Sequence, residues 1–143
     1  MTEPLKSSLR LQIASTPVHL PIVRAAVDRF AGMLGFDEAT CGKITLAVDE
    51  ALTNIIKHAY HGRDDKPIEI TLGTVPAPAG KQALRIELRD WGTPAGREEI
   101  KSRDLEDIRP GGLGVHIMNS IMDEVQYAPA DGGGTRLVMT KRM

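Results

Sequence analysis

The chain is predicted to be an α+β domain, a two-layer sandwich in which helices cover one face of a mixed, mostly antiparallel sheet. Three observations predict it. Segments that alternate apolar and polar residues, at Leu9–Ile13, Ile68–Leu72 and Leu84–Leu88, read as half-buried strands. Two helical periods separate the first of these from the second, and a third helical period precedes two more strands. Strands cluster in the C-terminal half and are interrupted by helices, giving the order strand, two helices, two strands, loop, helix, two strands.

In order along the chain, Leu9, Leu11 and Ile13 alternate with Arg10 and Gln12 as the first strand. Ser15-Thr16-Pro17 supplies a cap and a proline suited to a first helical turn. Ile22, Ala26, Val27, Phe30, Met33 and Leu34 follow at helical spacing, and Gly35 stops that helix. Asp37 is the N-cap of the next helix, with Glu38 favourable in its first turn. That helix reaches about Tyr60, and Ile44, Val48, Ala51, Leu52, Ile55 and Ala59 form its apolar stripe. After the polar exit loop His61–Asp65 come the second and third strands, the latter ending at Asp90. Thr93–Gly112 is rich in charge, Pro and Gly and lacks a steady period, with at most a short helix near Glu98–Arg103. Long irregular stretches in compact domains are usually functional or mobile. Leu113–Met122 returns to helical periodicity, and Val125–Tyr127 and Thr135–Lys141 flank Asp131–Gly134 as the last two strands.

Composition narrows the function. A chain of 143 residues has the length of one domain, 1–143, and can bury a real core. Lys and Arg number 18 against 19 Asp and Glu, so no global field recruits nucleic acid or an anionic membrane. One Trp, two Tyr and two Phe are too few for a base-stacking platform. Cys41, the one cysteine, has no internal disulfide partner and fits a reducing compartment. No apolar run approaches about 20 residues, and the polar start Met1–Arg10 does not read as a signal peptide. The expectation is a soluble, cytoplasmic protein that binds neither nucleic acid nor membrane.

Within the second helix, Glu50 and Asn54 stand four residues apart, roughly 40° around the axis, and project from one face. A carboxylate and a carboxamide stacked on an otherwise apolar helix are either a solvated face or the wall of a polar pocket. Three glycine-bearing segments favour the pocket: Asp90-Trp91-Gly92, Gly111-Gly112-Leu113-Gly114 and Gly132-Gly133-Gly134-Thr135. Each has an ordinary reading, as a strand exit, a helix cap and a hairpin turn respectively. His19, His58, His61 and His116 lack structural-metal spacing, and Met118, Met122 and Met139 read as core filler.

Taken together with Glu50 and Asn54, the three segments resemble in order and spacing the four nucleotide-binding boxes of the GHKL (Bergerat-fold) ATPases. That superfamily includes Hsp90, gyrase B, histidine kinases and MutL. DEALTNIIKHAY, DWGTP, GGLGVHIMNSIMDEV and GGGTRLVMTK resemble most closely the versions found in anti-sigma-factor serine/threonine protein kinases. Pro94 stands where the broader superfamily has a second glycine, and this too looks like the anti-sigma branch.

The resemblance implies a role for each matching position. Asn54 would be the magnesium ligand, a hard oxygen donor of the kind Mg²⁺ accepts. Glu50 would be the catalytic general base. Asp90 would accept a hydrogen bond from the adenine amino group, and Gly92 would let the backbone approach the base. Gly111, Gly112, Leu113 and Gly114 would wrap the phosphates with backbone amides. Thr135 would add a hydroxyl near the adenine end. Arg109 is placed at the terminal phosphate from its position just before the glycine segment. The implied protein binds ATP or ADP with Mg²⁺, sequesters a sigma factor, and phosphorylates a serine on a STAS-type anti-anti-sigma protein. It would pair as a homodimer, with Thr93–Gly112 as a lid. Two alternatives stand beside this reading: an adaptor that binds nucleotide without transferring phosphate, and a partner-switching kinase whose target is a secretion or signalling protein.

Overall fold

The computed structural model describes residues 6–93 and 110–143. Strand β1 (Lys6–Ala14) leads through a 3-10 turn (Pro17–His19) into α1 (Leu20–Leu34) and α2 (Glu38–Asn54). A π-helical turn, Ile55–Ala59, continues α2. Strands β2 (Pro67–Pro76) and β3 (Gln82–Asp90) follow; α3 (Pro110–Ile121) precedes β4 (Glu124–Pro129) and β5 (Thr135–Arg142).

Among the described residues one sheet holds five strands in the order β1-β2-β3-β5-β4, and every pairing in it is antiparallel. The α+β sandwich stands as predicted, while its sheet lies at the antiparallel end of the mixed sheet the sequence allows. The reason is topological. Two helices between β1 and β2 turn the chain back on itself, so these strands oppose each other. A single helix between β3 and β4 leaves them running the same way, but β5 inserts between them and opposes both.

The predicted caps form. Thr16 Oγ1 accepts the Val18 N–H at 3.3 Å, and Asp37 Oδ1 accepts the Thr40 N–H at 2.7 Å. Gly35 closes α1 in the left-handed region at φ 106°, where a Cβ would be strained. Ser15 does not join the cap. It is fully buried, its Oγ donating to Arg63 O at 2.6 Å and accepting from Lys66 N at 3.1 Å, which ties the loop after α2 to the end of β1.

Between the sheet and α2 lies the core. Ile68, Ile70, Leu72, Leu84, Ile86 and Leu88 of the sheet are sealed from solvent. All six residues of the predicted α2 stripe, Ile44, Val48, Ala51, Leu52, Ile55 and Ala59, are buried against them. Each buried Ile, Leu or Val among these contributes about 1.5–3 kcal/mol relative to exposure. The stripe on α1 overlaps the expected one, with Val27 buried and Phe30 and Leu34 packed against the core, but is shifted around the axis. Leu20, Val23, Val27 and Ala31 are buried, whereas Ile22 and Met33 are 63% and 72% exposed. Alternative apolar faces were open in so hydrophobic a helix, and packing on α2 selects the one starting at Leu20. From the other side α3 packs on α2, with Met118 and Met122 buried as core filler. Asp123 fastens the end of α3: its N–H donates to Thr140 O at 2.9 Å and its carboxylate accepts from Arg142 N at 2.6 Å.

Candidate functional site

The site is built around the end of α2. Glu50 and Asn54 are both half-buried, neither in the core nor fully in water, on the side away from the buried stripe. Next to them Asp49 is engaged elsewhere, accepting from Arg24 Nε on α1 at 2.8 Å.

Five residues after Asn54 the helix ends in an unusual way. Ile55–Ala59 widens into a π turn, with Tyr60 N bonding Ile55 O at 3.0 Å and Gly62 N bonding Ile56 O at 2.8 Å. Such widenings occur frequently at functional sites. His61 and Gly62 then take left-handed φ values of 53° and 80°. With no following helical amide in reach, the Ala59 carbonyl accepts from Thr93 N at 3.0 Å, in the segment just after Asp90-Trp91-Gly92. Gly92 lies against the same peptide: a Cβ on it would sit 2.3 Å from Ala59 O. Only glycine permits that approach.

A second tie comes from Tyr60. Its hydroxyl accepts from Trp91 N at 2.8 Å and donates to Pro67 O at the start of β2. Burial raises the Tyr60 pKa, opposed by the Trp91 N–H.

Asp90 ends β3 at 3% exposure. Its Oδ1 accepts from Gly92 N at 3.0 Å. Burial pushes its pKa up; the Gly92 and Thr135 backbone donors and the Arg89 charge pull it back. A buried carboxylate held by two amides, with a glycine at its side, fits a flat ligand that presents a hydrogen-bond donor, as the adenine amino group does. Thr135 is the β5 partner of Asp90 in register. Just before it, Gly132, Gly133 and Gly134 all have positive φ, at 85°, 100° and 80°. Gly134 is pressed against β3 so closely that a Cβ would meet Asp90 O at 2.1 Å. The triple glycine is thus both a hairpin turn and a surface fitted to Asp90.

Of the residues expected at the site, Asp90, Gly92 and Thr135 come together in one place. Glu50 and Asn54 stand upstream on the helix whose end Gly92 touches. Gly111, Gly112, Leu113 and Gly114 lie within α3, which begins at Pro110 rather than at Leu113. They form its opening turns and not a preceding loop, because a proline suits the first helical position and lets the helix start there. Amides of a first turn lack helical acceptors, so this backbone keeps its capacity to meet an anion. Arg109, Pro94, the suggested Glu98–Arg103 helix and residues 94–109 of the suggested lid fall outside the described residues.

The sequence reading missed three contributors. Tyr60 was only the end of a helix. Gly134 belonged to a quoted segment but carried no role of its own. Arg89 was the polar half of an alternation; in the fold its guanidinium donates to three carbonyls and lies 4.4 Å from the centre of the Trp91 ring. Adjacency to Asp90 is the single signal that could have drawn attention to it.

Antiparallel sheet, covering helices and this meeting of Asp90, Gly92, Thr135 and the end of α2 define an α+β sandwich with a glycine-lined polar site where β3, β5 and α2 come together. The chain belongs to the histidine kinase-like ATPase domain family, whose profile matches residues 13–141, and it stands among that family's anti-sigma-factor serine-protein kinases. It is similar to serine-protein kinase RsbW of Listeria monocytogenes serotype 4a (strain HCC23), with 30% identity over 145 residues, 96% of this chain and 88% of the relative. RsbW of Bacillus pumilus (strain SAFR-032) is 28% identical, over 93% of this chain and 84% of its own. Among solved structures, the RsbU and RsbW domains of a Mycobacterium tuberculosis protein superpose with TM-score 0.63 at 19% identity, over 96% of this chain and 32% of that one. The SiaB–SiaC complex of Pseudomonas aeruginosa gives TM-score 0.61 at 10% identity, over 94% and 88%. At those identities the structures speak for the fold. Membership of this ATPase family carries ATP binding with it.

Proposed function

We propose that this chain is an ATP-dependent serine/threonine protein kinase and anti-sigma factor, which phosphorylates a serine on a STAS-type anti-anti-sigma protein and otherwise holds a sigma factor. The observation that carries the reading is the docking of Asp90–Thr93 onto the end of the helix that bears Glu50 and Asn54, with Gly134–Thr135 closing the other side. It supports one continuous site with a recognition end and a reactive end. Near full-length similarity to serine-protein kinases supports the chemistry.

Asp90 receives the adenine amino group, and Gly92 leaves the base room. Thr135 offers its hydroxyl at that end. Backbone amides of Gly111, Gly112, Leu113 and Gly114 face the phosphates at the positive end of α3. Arg109 is assigned to the terminal phosphate from its place in the sequence just before the glycine segment. Asn54 has the right chemistry for Mg²⁺, a hard and half-exposed amide oxygen, and bound Mg²⁺ supplies charge neutralisation on the phosphates. Glu50, one turn earlier, accepts the proton of the attacking serine hydroxyl as its oxygen bonds to phosphorus and the bond to the bridging oxygen of ADP breaks. A phosphoserine adds about −1.5 to −2 charges to the antagonist's docking surface and releases it, freeing the kinase for the sigma factor.

Among the described residues no helix is long and apolar enough to cross a membrane. We place the protein in the cytoplasm with its partners, as a homodimer, which sedimentation velocity tests directly.

Incubation with labelled ATP and a STAS-type protein tests the kinase. Transfer to serine in wild type, reduced about 10²–10⁴-fold in Glu50→Ala with ATP binding retained, supports it. Retained nucleotide binding with no transfer to any STAS-type protein would instead identify a nucleotide-sensing adaptor.

A further inference from the structure

We infer that Arg89 is a positioning residue for nucleotide selectivity, clamping the triple-glycine turn onto β3 so that Asp90 is presented to adenine in a fixed orientation. This rests on the proposed nucleotide reading of the site and adds a residue to it.

One terminal nitrogen of the Arg89 guanidinium donates to both Asp90 O and Gly133 O at 2.6 Å. The other donates to Asp131 O at 2.8 Å. The three carbonyls belong to two different elements, the end of β3 and the turn between β4 and β5. Glu69, the cross-strand neighbour of Arg89, is paired with Arg10 at 3.4 Å. Three successive glycines at positive φ make the turn flexible by composition, and nothing in their own side chains can order it. The planar fork of an arginine can, because it reaches several carbonyls at once in a set geometry. The contact is consequential because of where the turn sits. Gly134 abuts Asp90 O, and the next residue, Thr135, is the backbone donor beside the Asp90 carboxylate. Were the turn to drift, the support on that side of Asp90 would drift with it. The Trp91 ring, stacked on the same guanidinium, caps the arrangement.

The test uses the full chain and Arg89→Lys, which keeps the charge and loses the fork. Binding of Mg-ADP and Mg-GDP is measured by calorimetry, with a thermal melt on each protein. Trp91, the one tryptophan in the chain, reports the stacking through its fluorescence. The expected result is a roughly tenfold loss of ADP affinity with little change for GDP, so that the adenine preference shrinks, together with a shift in Trp91 emission. Arg85→Lys, four residues earlier on the same strand and paired with Glu87 at 3.7 Å, should leave ADP binding unchanged. Should the lysine variant fold poorly, Arg89→Gln takes its place in the same comparison. Unchanged ADP affinity and selectivity in a folded Arg89 variant would overturn the inference while leaving the nucleotide site intact. An equal loss in Arg85→Lys would overturn it as well, by making the effect one of the strand in general. Failure of the wild-type protein to bind ADP at all would remove both the inference and the reading beneath it.

Discussion

Gly92→Ala isolates the contact that joins the two ends of the site. No positive φ is involved at Gly92, so the perturbation is purely steric: the new methyl meets the Ala59 carbonyl oxygen at 2.3 Å, its carbon at 2.7 Å and its Cβ at 2.9 Å. Two of these are main-chain atoms of a helical turn and cannot swing aside. Forcing the methyl into place would cost about 1–3 kcal/mol, as overpacking does. Lifting Gly92 and Thr93 away from the helix, with Trp91 N still held by Tyr60 Oη, is the cheaper response: the Thr93 N–Ala59 O bond of 3.0 Å is lost, worth about 1 kcal/mol, and the Gly92 N–Asp90 Oδ1 bond is loosened. For a domain of this size that is a fall in melting temperature of roughly 2–4 °C. Nucleotide binding should suffer more than stability, because the lifted segment carries the amide that orients Asp90. A loss of about tenfold or more in ATP affinity, some 1.4 kcal/mol, is expected by calorimetry. If Gly92→Ala binds ATP as well as wild type, the close approach of Gly92 to the end of α2 does not organise the site. If the melting temperature instead collapses, the contact belongs to the core.

Tyr60→Phe removes one oxygen that serves both Trp91 N and Pro67 O, leaving a donor and an acceptor unmet. A loss of about 1–3 kcal/mol, read as a fall of roughly 3–10 °C in a thermal melt, is expected; a wild-type melt would show that the hydroxyl is dispensable. Asp90 carries a pH signature. Burial raises its folded-state pKa above the ordinary 3.8, so the folded protein holds that proton more tightly than the unfolded chain does. Its contribution to stability is therefore fully present below 3.8 and is lost as pH rises through the raised folded value. At neutral pH the ionised carboxylate is a cost to the fold kept for the site. Asp90→Asn should keep or raise thermal stability at neutral pH and flatten its dependence across that acidic window. With its oxygen on Gly92 N, the new amide would turn donors toward the adenine amino group and weaken ATP binding. Denaturation across pH checks the first statement and calorimetry the second; a destabilised variant at neutral pH contradicts the account.

How much of this was written in the sequence differs by the kind of interaction. Strands that bury one face carry their own record: Leu84, Ile86 and Leu88 had to alternate, and they did. Caps are equally local, which is why Asp37 and Gly35 were legible. Helix α1 offered more apolar residues than one face can hold, so the pattern placed Val27 but could not tell Leu20 and Val23 from Ile22 and Met33. That choice belongs to the neighbouring helix. The start of α3 was displaced for the converse reason: four residues holding three glycines offer no apolar period to read before Leu113, while Pro110 suits the first helical position.

The candidate site divides in the same way. Glu50 and Asn54 could be singled out as polar residues on an otherwise apolar helix, and Asp90, Gly92 and Thr135 through the resemblance of their segments to the boxes of a nucleotide-binding family. Tyr60 and Arg89 act on main-chain carbonyls and amides that every residue possesses, across 31 and 44 positions of sequence. No residue type on the receiving side marks such a contact, and only the fold reveals it. The same distinction says where substitutions should be most deceptive. A change at Arg89 or Tyr60 looks conservative in composition and falls outside the residues proposed to touch the nucleotide, yet under the proposed reading it moves the backbone on which the recognition of adenine depends.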